Sequence, residues 1–587
     1  MRKLVNFLLE YGLLFIITIP AFTSLVNPYY FSHHDSQQAA RLFVLTEALK
    51  QGDIYPRWVD LFGFNYGYPL FNFYPPFIYY VGALFYSVGF SILWSVKLIV
   101  ISGYVLAAAG MYLLVNKLTH RRPPAYLAAV FYTYFTYHAV NAYVRGALAE
   151  FFSMTVLPFV FLSLEHLRQH VNLRNAFFLS ITFGILILTH PLIAFPAMLF
   201  IAAYMVHSFV HAKKKLKYVI HASVGAIGGL ALSAFFWLPS MIERKFTLVD
   251  TILLKELASH EIHFVQPKQL WYSAWGYGGS GPGYLDGMTF QLGKVHIVVA
   301  LFAFIACLVT VYLWKRKNLR VKSSQTFYDF GFYFVVMISA IFMTIQASEF
   351  IWNIVSFLKY LQFPWRFMTF VGIFISVVGG YGIYYVTLIL NRKWVTIAIT
   401  ILFSLAAILT YQKYFKAQRQ LTVTNQELTS FEEIAWRVSR TSFEFIPKDV
   451  TTKKSELNTT IPALEKENVS RNIYQLSNGT ANVFDVHTEY SDKRFNINVF
   501  DETVDFRLNT YNFPGWVAYI DGQKTQIRDN NAFKLITIKV PQGSHTLRFR
   551  FQDTPVRTIG NTMSILSSVG IGLYFAHMSV QSKRRKK

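Results

Sequence analysis

Apolar stretches recur along this chain at roughly the twenty residues a helix needs to cross the hydrocarbon of a bilayer. They fall near 9–27, 94–115, 124–143, 150–166, 176–190, 191–210, 218–240, 294–314, 327–347, 366–389, 394–412 and 558–578, with a shorter segment at 75–92. Between about 413 and 556 the pattern changes. Asn, Asp, Thr and Glu become frequent, and the second half of this block alternates, as in Phe495-Asn496-Ile497-Asn498-Val499-Phe500 and His545-Thr546-Leu547-Arg548-Phe549-Arg550-Phe551. Period-two alternation predicts antiparallel strands, and Asp521-Gly522 predicts a tight hairpin turn. The pattern predicts a mainly α chain: a polytopic transmembrane helical bundle of about 12 to 14 spans and a C-terminal β-sandwich-like domain before the last span. The expected division is a multi-spanning domain at 1–412 with loops 28–74 and 241–293, a β-rich domain at 413–556 whose first part (about 420–470) is more helical or irregular, and a last helix with a basic tail at 557–587.

Composition agrees: 53% of the 587 residues are hydrophobic and the mean hydropathy is +0.34. Charge adds orientation. The net charge is +24 although only 15% of residues are charged, and the excess Lys and Arg cluster at Lys117 to Arg122, Arg168 to Arg174, Lys213 to Lys217, Lys315 to Lys322, Arg392-Lys393 and Lys583 to Lys587. Each cluster abuts an apolar segment, so the positive-inside bias puts these ends in the cytoplasm. Met1-Arg2-Lys3 and the 117–122 cluster then require an even number of crossings between them, which makes 75–92 re-entrant or interfacial, its Pro75-Pro76 suited to a first helical turn. Both termini are expected inside and the β domain outside a plasma membrane. Basic residues scattered over many juxtamembrane sites do not form a nucleic-acid face. The start lacks a small-x-small cleavage pattern and reads as a retained helix. The single cysteine, Cys307, lies in an apolar span and excludes an intrachain disulfide.

Candidate chemistry gathers at the predicted outer face. Loop 28–74 carries Phe31-Ser32-His33-His34-Asp35-Ser36-Gln37-Gln38 and later an aromatic, Gly/Pro-rich strip from Gly63 to Pro76. Leu42, Leu45 and Leu49 recur at helical spacing after Asp35, which predicts a helix on the membrane surface. Asp35 suits its N-cap, with Gln38 completing a capping box. A carboxylate at a low-dielectric boundary also suits a general base. Arg145 and Glu150 stand at the outer end of one span, where charges are costly, and structure and function are about equally good explanations of the pair. His190 and Arg366 are expected at the same level, and three cationic or proton-bearing groups there suit a phosphate-linked lipid. His33-His34 has no third ligand at metal spacing, leaving a divalent ion shared between Asp35 and a second carboxylate as the only metal option. The glycine-rich end of loop 241–293, Trp275 to Met288 with Asp286, lacks a P-loop context and fits either a flexible cover over a sugar or lipid pocket or a plain connection.

His34-Asp35, Phe73-Tyr74-Pro75-Pro76, Arg145 to Glu150, Gln362-Phe363-Pro364-Trp365-Arg366-Phe367, Tyr511 to Trp516 and Val540 to His545 together resemble bacterial multi-spanning proteins of C-type glycosyltransferase architecture, including those labelled 6-pyruvoyl-tetrahydropterin-synthase-related and the lipoteichoic-acid-glycosylating group. The resemblance implies transfer of a sugar from a polyprenyl-phosphate donor to a cell-envelope glycan acceptor outside the membrane, with Asp35 as base. The pterin chemistry in the label is not implied, because a soluble zinc-binding His triad is lacking. On this reading Asp35 and Glu150 are catalytic, with Glu150 orienting Arg145 or a metal, and His33, His34, Arg145, His190, Asp286 and Arg366 bind substrate. The rival class is a non-enzymatic lipid-linked glycan transporter or envelope assembly factor using the same cavity without a base.

Overall fold

The computed structural model describes residues 2–253, 259–321 and 323–584. Residues 1, 322 and 585–587, parts of the basic clusters above, lie outside the described residues. The chain is a multi-helical membrane protein with a β-sheet unit before its last long helix. Among the described residues, eight helices are long and apolar enough to cross a membrane: Ile92–Thr119, Leu148–Gln169, Pro191–His211, Lys294–Lys315, Gln325–Phe342, Pro364–Leu390, Lys393–Tyr414 and Pro555–Ser582. A ninth is possible if the pair Lys215–Leu232 and Ala234–Phe246, bent by 67°, counts as one span.

This count is lower than the expected 12 to 14, and the reason is backbone breakage that hydropathy does not register. Segment 124–143 is interrupted: helix Arg122–Thr133 stops, a short helix Thr136–Ala139 follows, and a π-helical turn Val140–Arg145 ends at Gly146. The first helix, Arg2–Phe22, is 21 residues long, whereas Phe77–Ser87 and Leu173–Thr189 are apolar but short. At 1.5 Å per residue, Phe77–Ser87 reaches only about half way across a bilayer, as its expected non-spanning character requires. At the 67° bend the last helix supplies the missing partners: Phe235 N donates to Ser564 Oγ at 2.9 Å and Ser564 Oγ donates to the Ala231 carbonyl at 2.9 Å. Small residues bring helices together elsewhere, as at Gly103, where a Cβ would meet the Phe151 ring at 2.3 Å.

The β unit is one six-stranded antiparallel sheet built on two long strands, Asp492–Tyr511 and Leu535–Phe551. It performs the work of a sandwich by curling. Phe495 and Phe506 lie on the same strand, eleven residues apart, which on a straight strand is about 36 Å, yet their ring centroids are 5.0 Å apart. The strand folds back near its middle, opposite the register shift between Pro541 and Gly543 on its partner, and such irregularities are how sheets bend. Asp521 and Gly522 both have positive φ, 50° and 81°, the type I′ geometry that closes the hairpin Trp516–Ile520 to Gln523–Thr525.

Loop 28–74 is wedged between the membrane helices and the sheet. Tyr30–Phe31 pairs with Gln420–Leu421, Tyr511 N donates to the Tyr66 carbonyl at 2.7 Å, and Trp58 packs edge-on against Trp516 at 5.5 Å. The helix Gln38–Lys50 does not lie open on the surface as expected. Gln38, Ala39, Ala40, Arg41, Leu42, Val44, Leu45, Thr46 and Ala48 are all buried, because helices Phe77–Ser87 and Ile92–Thr119 pack on the helix, Leu42 lying against Gly82, and Thr441 and Ser442 bond to Gln37 and Arg41.

Candidate functional site

The turn Val140–Arg145 leaves its last carbonyls without helical partners, as every helix end does. The first loop supplies them. His34 N donates to the Val144 carbonyl at 3.0 Å, Asp35 N to the Arg145 carbonyl at 2.8 Å, and Gln38 Nε2 to the Gly146 carbonyl at 2.7 Å. Main-chain pairing therefore fixes Asp35 beside Arg145 whatever its side chain does. Asp35 is not the helix cap that its position suggests: the N-cap is Gln37, with no side-chain capping bond. The half-buried Asp35 carboxylate forms no hydrogen bond or ion pair among the described residues, while acting electrostatically on Arg145, Arg366 and Tyr74.

Arg145 and Arg366 meet on Glu150, whose side chain is fully enclosed. Arg145 Nη1 lies 2.8 Å from Glu150 Oε2 and Arg366 Nε 3.2 Å from the same oxygen. Tyr137 Oη donates to Glu150 Oε1 and accepts from Arg145 Nη1, which also donates to Asn141 Oδ1 at 2.5 Å. Arg366 Nη1 donates to the Leu361 carbonyl at 2.7 Å and to Gln362 Oε1 at 3.3 Å. Stacked rings hold the cations in plane: Phe363 and Trp365 are 4.6 Å apart, Arg145 lies 4.5 Å over Trp365 and Arg366 5.0 Å over Phe363. Among the described residues no hydrogen bond engages Arg145 Nη2 or Nε, or Arg366 Nη2. Two cations against one internal carboxylate leave a unit of positive charge beside Asp35, with planar donors to spare. That suits a phosphate oxygen.

Strain marks the same place. Gln362 has φ 65° and ψ −45°, and Phe363 N donates back to the Leu361 carbonyl at 2.6 Å, a γ-turn that non-glycine residues adopt at a cost of order 1–3 kcal/mol. The turn aims Arg366 at Glu150.

His190 joins the cluster, close enough for its charge state to be felt by Glu150 and Arg366, and its Nδ1 accepts from Ile193 N at 3.1 Å as the cap of helix Pro191–His211. The other predicted binders have structural duties. His33 packs against Gly146, whose φ is +65° and where a Cβ would meet His33 Nδ1 at 2.3 Å; burial pushes the His33 imidazole down to about 4, so it is neutral at physiological pH. His34 Nε2 donates to the Tyr277 carbonyl at 2.8 Å and ties the glycine-rich loop to the first loop. Asp286 accepts from Gln269 Nε2 at 2.7 Å and Gly281 N at 3.0 Å inside its own loop, which makes it a staple of that loop. Glu150 is committed to cations, so it offers Asp35 no second carboxylate for a metal. No three His, Cys, Asp or Glu residues converge among the described residues.

Tyr137 and Asn141 were not singled out from the sequence, and Trp365 entered only as part of the Gln362 to Phe367 motif. Tyr137 and Asn141 precede Arg145 at steps of four, a polar stripe in an otherwise apolar segment, and that stripe was the signal.

Residues 71–276 match the 6-pyruvoyl-tetrahydropterin synthase related domain, described as a membrane protein. The matched segment carries Arg145, Glu150 and His190, whereas Asp35 and Arg366 flank it. No curated protein matches. Among solved structures, the Archaeoglobus fulgidus oligosaccharyltransferase tethered with an acceptor peptide is similar at 14% identity and TM-score 0.40, covering 72% of this chain and 55% of that one. ArnT from Cupriavidus metallidurans bound to undecaprenyl phosphate is similar at 13% identity and TM-score 0.32, covering 64% of this chain and 77% of that one. The chain thus spans little more than half of the archaeal enzyme.

Proposed function

We propose that this protein is an inverting glycosyltransferase that moves a sugar from a polyprenyl-phosphate donor to a hydroxyl of a cell-envelope glycan on the outer face of the plasma membrane, with both termini cytoplasmic. The observation that carries this reading is an unpaired carboxylate, Asp35, held by main-chain bonds beside two guanidinium groups that share one enclosed carboxylate. Arg145 and Arg366 hold the donor phosphate, with His190 at its edge. Asp35 takes the proton of the acceptor hydroxyl as its oxygen bonds to the anomeric carbon. The bond from that carbon to the phosphate oxygen breaks, and the polyprenyl phosphate leaves with the negative charge that the guanidinium groups offset. Glu150 positions both arginines and touches no substrate. Asp35 then returns its proton to water.

The decisive experiment supplies polyprenyl-phosphate sugar to membranes containing the Asp35→Asn variant. Loss of about 10²-fold or more in transfer, the scale of a missing general base, is expected at normal expression. Full retained transfer would remove Asp35 from the mechanism, whereas transfer absent from the wild-type protein as well would favour a non-enzymatic glycan transporter, for which only Arg145 and Arg366 would matter.

A further inference from the structure

At the start of the helix that follows Asp35, a second set of polar groups is under-satisfied. Arg41 is 4% exposed and Gln37 8% exposed, one helical turn apart, and the Arg41 Nε and Gln37 Oε1 atoms are buried without partners. Their other atoms hold the segment that leads into the sheet: Arg41 Nη2 donates to Ser442 Oγ at 3.0 Å and Gln37 Nε2 to Thr441 Oγ1 at 3.2 Å. Two residues further on, Glu444 is half-buried. It forms no ion pair within 4.0 Å among the described residues; Ser442 Oγ donates to it at 3.4 Å and the Tyr68 hydroxyl also hydrogen-bonds it. Tyr74 packs against Arg41. The Arg41 guanidinium covers one face of its ring at 3.6 Å, the side chain remains half exposed, and its hydroxyl feels the charges of both Asp35 and Glu444. The arrangement is held from outside, since Phe445 N donates to Tyr68 Oη at 3.1 Å and Lys448 N to the Phe246 carbonyl at 3.0 Å.

Buried donors and acceptors ordinarily find partners. A guanidinium nitrogen and an amide oxygen left without partners, near a half-buried carboxylate and a half-exposed aromatic ring, match the alternating donors, acceptors and apolar C–H face of a pyranose. The Glu444 carboxylate opposes a phosphate here, so this recess does not duplicate the donor half.

We propose that Gln37, Arg41, Tyr74 and Glu444 form the acceptor subsite, which binds a neutral, hydroxyl-rich sugar ring and presents one hydroxyl to Asp35. The inference rests on the transfer reading above, and it makes the linker before the sheet part of the specificity machinery.

The test uses the full chain in nanodiscs with two probes: undecaprenyl phosphate for the donor half and methyl α-D-glucopyranoside for the acceptor half, the latter followed by saturation-transfer NMR. Glu444→Gln and Tyr74→Phe are expected to weaken sugar binding about tenfold, the scale of one lost hydrogen bond to a charged group, with undecaprenyl phosphate bound within twofold of wild type. Arg366→Gln should show the opposite pattern. A sugar signal absent from wild type, or unchanged in both Glu444→Gln and Tyr74→Phe while lipid binding is intact, overturns the subsite. Undecaprenyl phosphate binding unaffected by Arg366→Gln overturns the donor assignment instead, whatever the sugar probe does.

Discussion

Glu150 sits fully enclosed between two guanidinium groups that would otherwise repel each other across a few ångströms. Replacing it with Gln keeps the shape and removes the charge, which leaves two cations buried without compensation. Breaking a buried ion pair in this way costs about 3–5 kcal/mol. Glu150→Gln is therefore expected to lower thermal stability and to lose transfer, both measurable on the purified protein in one detergent. Arg145→Lys is also not conservative: a point ammonium cannot serve Glu150, Tyr137 and a phosphate while stacking on Trp365. His33 sets the acid limit of the same loop. Its pKa is depressed to about 4 by burial, so between that value and the ordinary 6.5 the unfolded chain binds the proton more readily than the folded one. Stability thus rises with pH through this window and is lost as pH falls toward 4. A pH series of thermal melts should show a decline below about 6.5, and His33→Gln should flatten it.

The elements that carry the site are pinned by glycine geometry at one place. Gly146 and Gly283 share the same φ of +65°, yet a Cβ on Gly146 would strike His33 at 2.3 Å while one on Gly283 would meet nothing within 4 Å. Gly283→Ala should cost only the left-handed backbone penalty, about 1–2 kcal/mol, and leave transfer intact. Gly146→Ala adds a collision that pushes loop 33–35 off the end of its helix, so transfer should fall by at least about tenfold more than in the control, and hydrogen exchange at the Asp35 amide should quicken. Much at this scale was legible in the sequence: the helical membrane region, the alternation that became the curled sheet, the Asp521-Gly522 hairpin, and Arg145, Glu150, His190 and Arg366 at one level. Hidden from it were the breaks at 134–135 and 146–147, because an apolar run reads the same whether or not the backbone stays helical. Asp35 was assigned a cap by local spacing, but tertiary pairing with residues 144–146 overrode that preference. Glu444 and Arg41 lie some four hundred residues apart, and no local pattern joins them.

Across the whole molecule, the membrane helices and the sheet are joined by a buried ionic network that does not include Asp35. Arg557 and Glu243 pair at 2.8 Å with side chains 0% and 3% exposed. Asn72 Nδ2 donates to the same Glu243 oxygen at 2.8 Å, and Arg57 donates to Asn72 Oδ1 at 3.0 Å and to Asn561 Oδ1 at 2.9 Å. Arg557 also donates to the Pro514 carbonyl at 2.8 Å, within the turn that leads to Trp516. Loop 28–74, the bent helix pair, the sheet and the last helix therefore share one set of buried charges, and the sheet is not a separate module on a tether. Loss of one partner leaves the others uncompensated, so Glu243→Ala should destabilise by about 3–5 kcal/mol. The consequence for function follows from the wedge position of the first loop. If the network holds the loop, Glu243→Ala should open sites in 28–74 and 443–448 to limited proteolysis together and reduce transfer, although Glu243 has no part in the chemistry. Undecaprenyl phosphate binding should change less than transfer does, because Arg145 and Arg366 are held by Glu150 and by the stacked pair Phe363 and Trp365. Proteolysis confined to the sheet, with loop 28–74 still protected and transfer intact, would show instead that the main-chain pairings of the first loop are sufficient to seat Asp35.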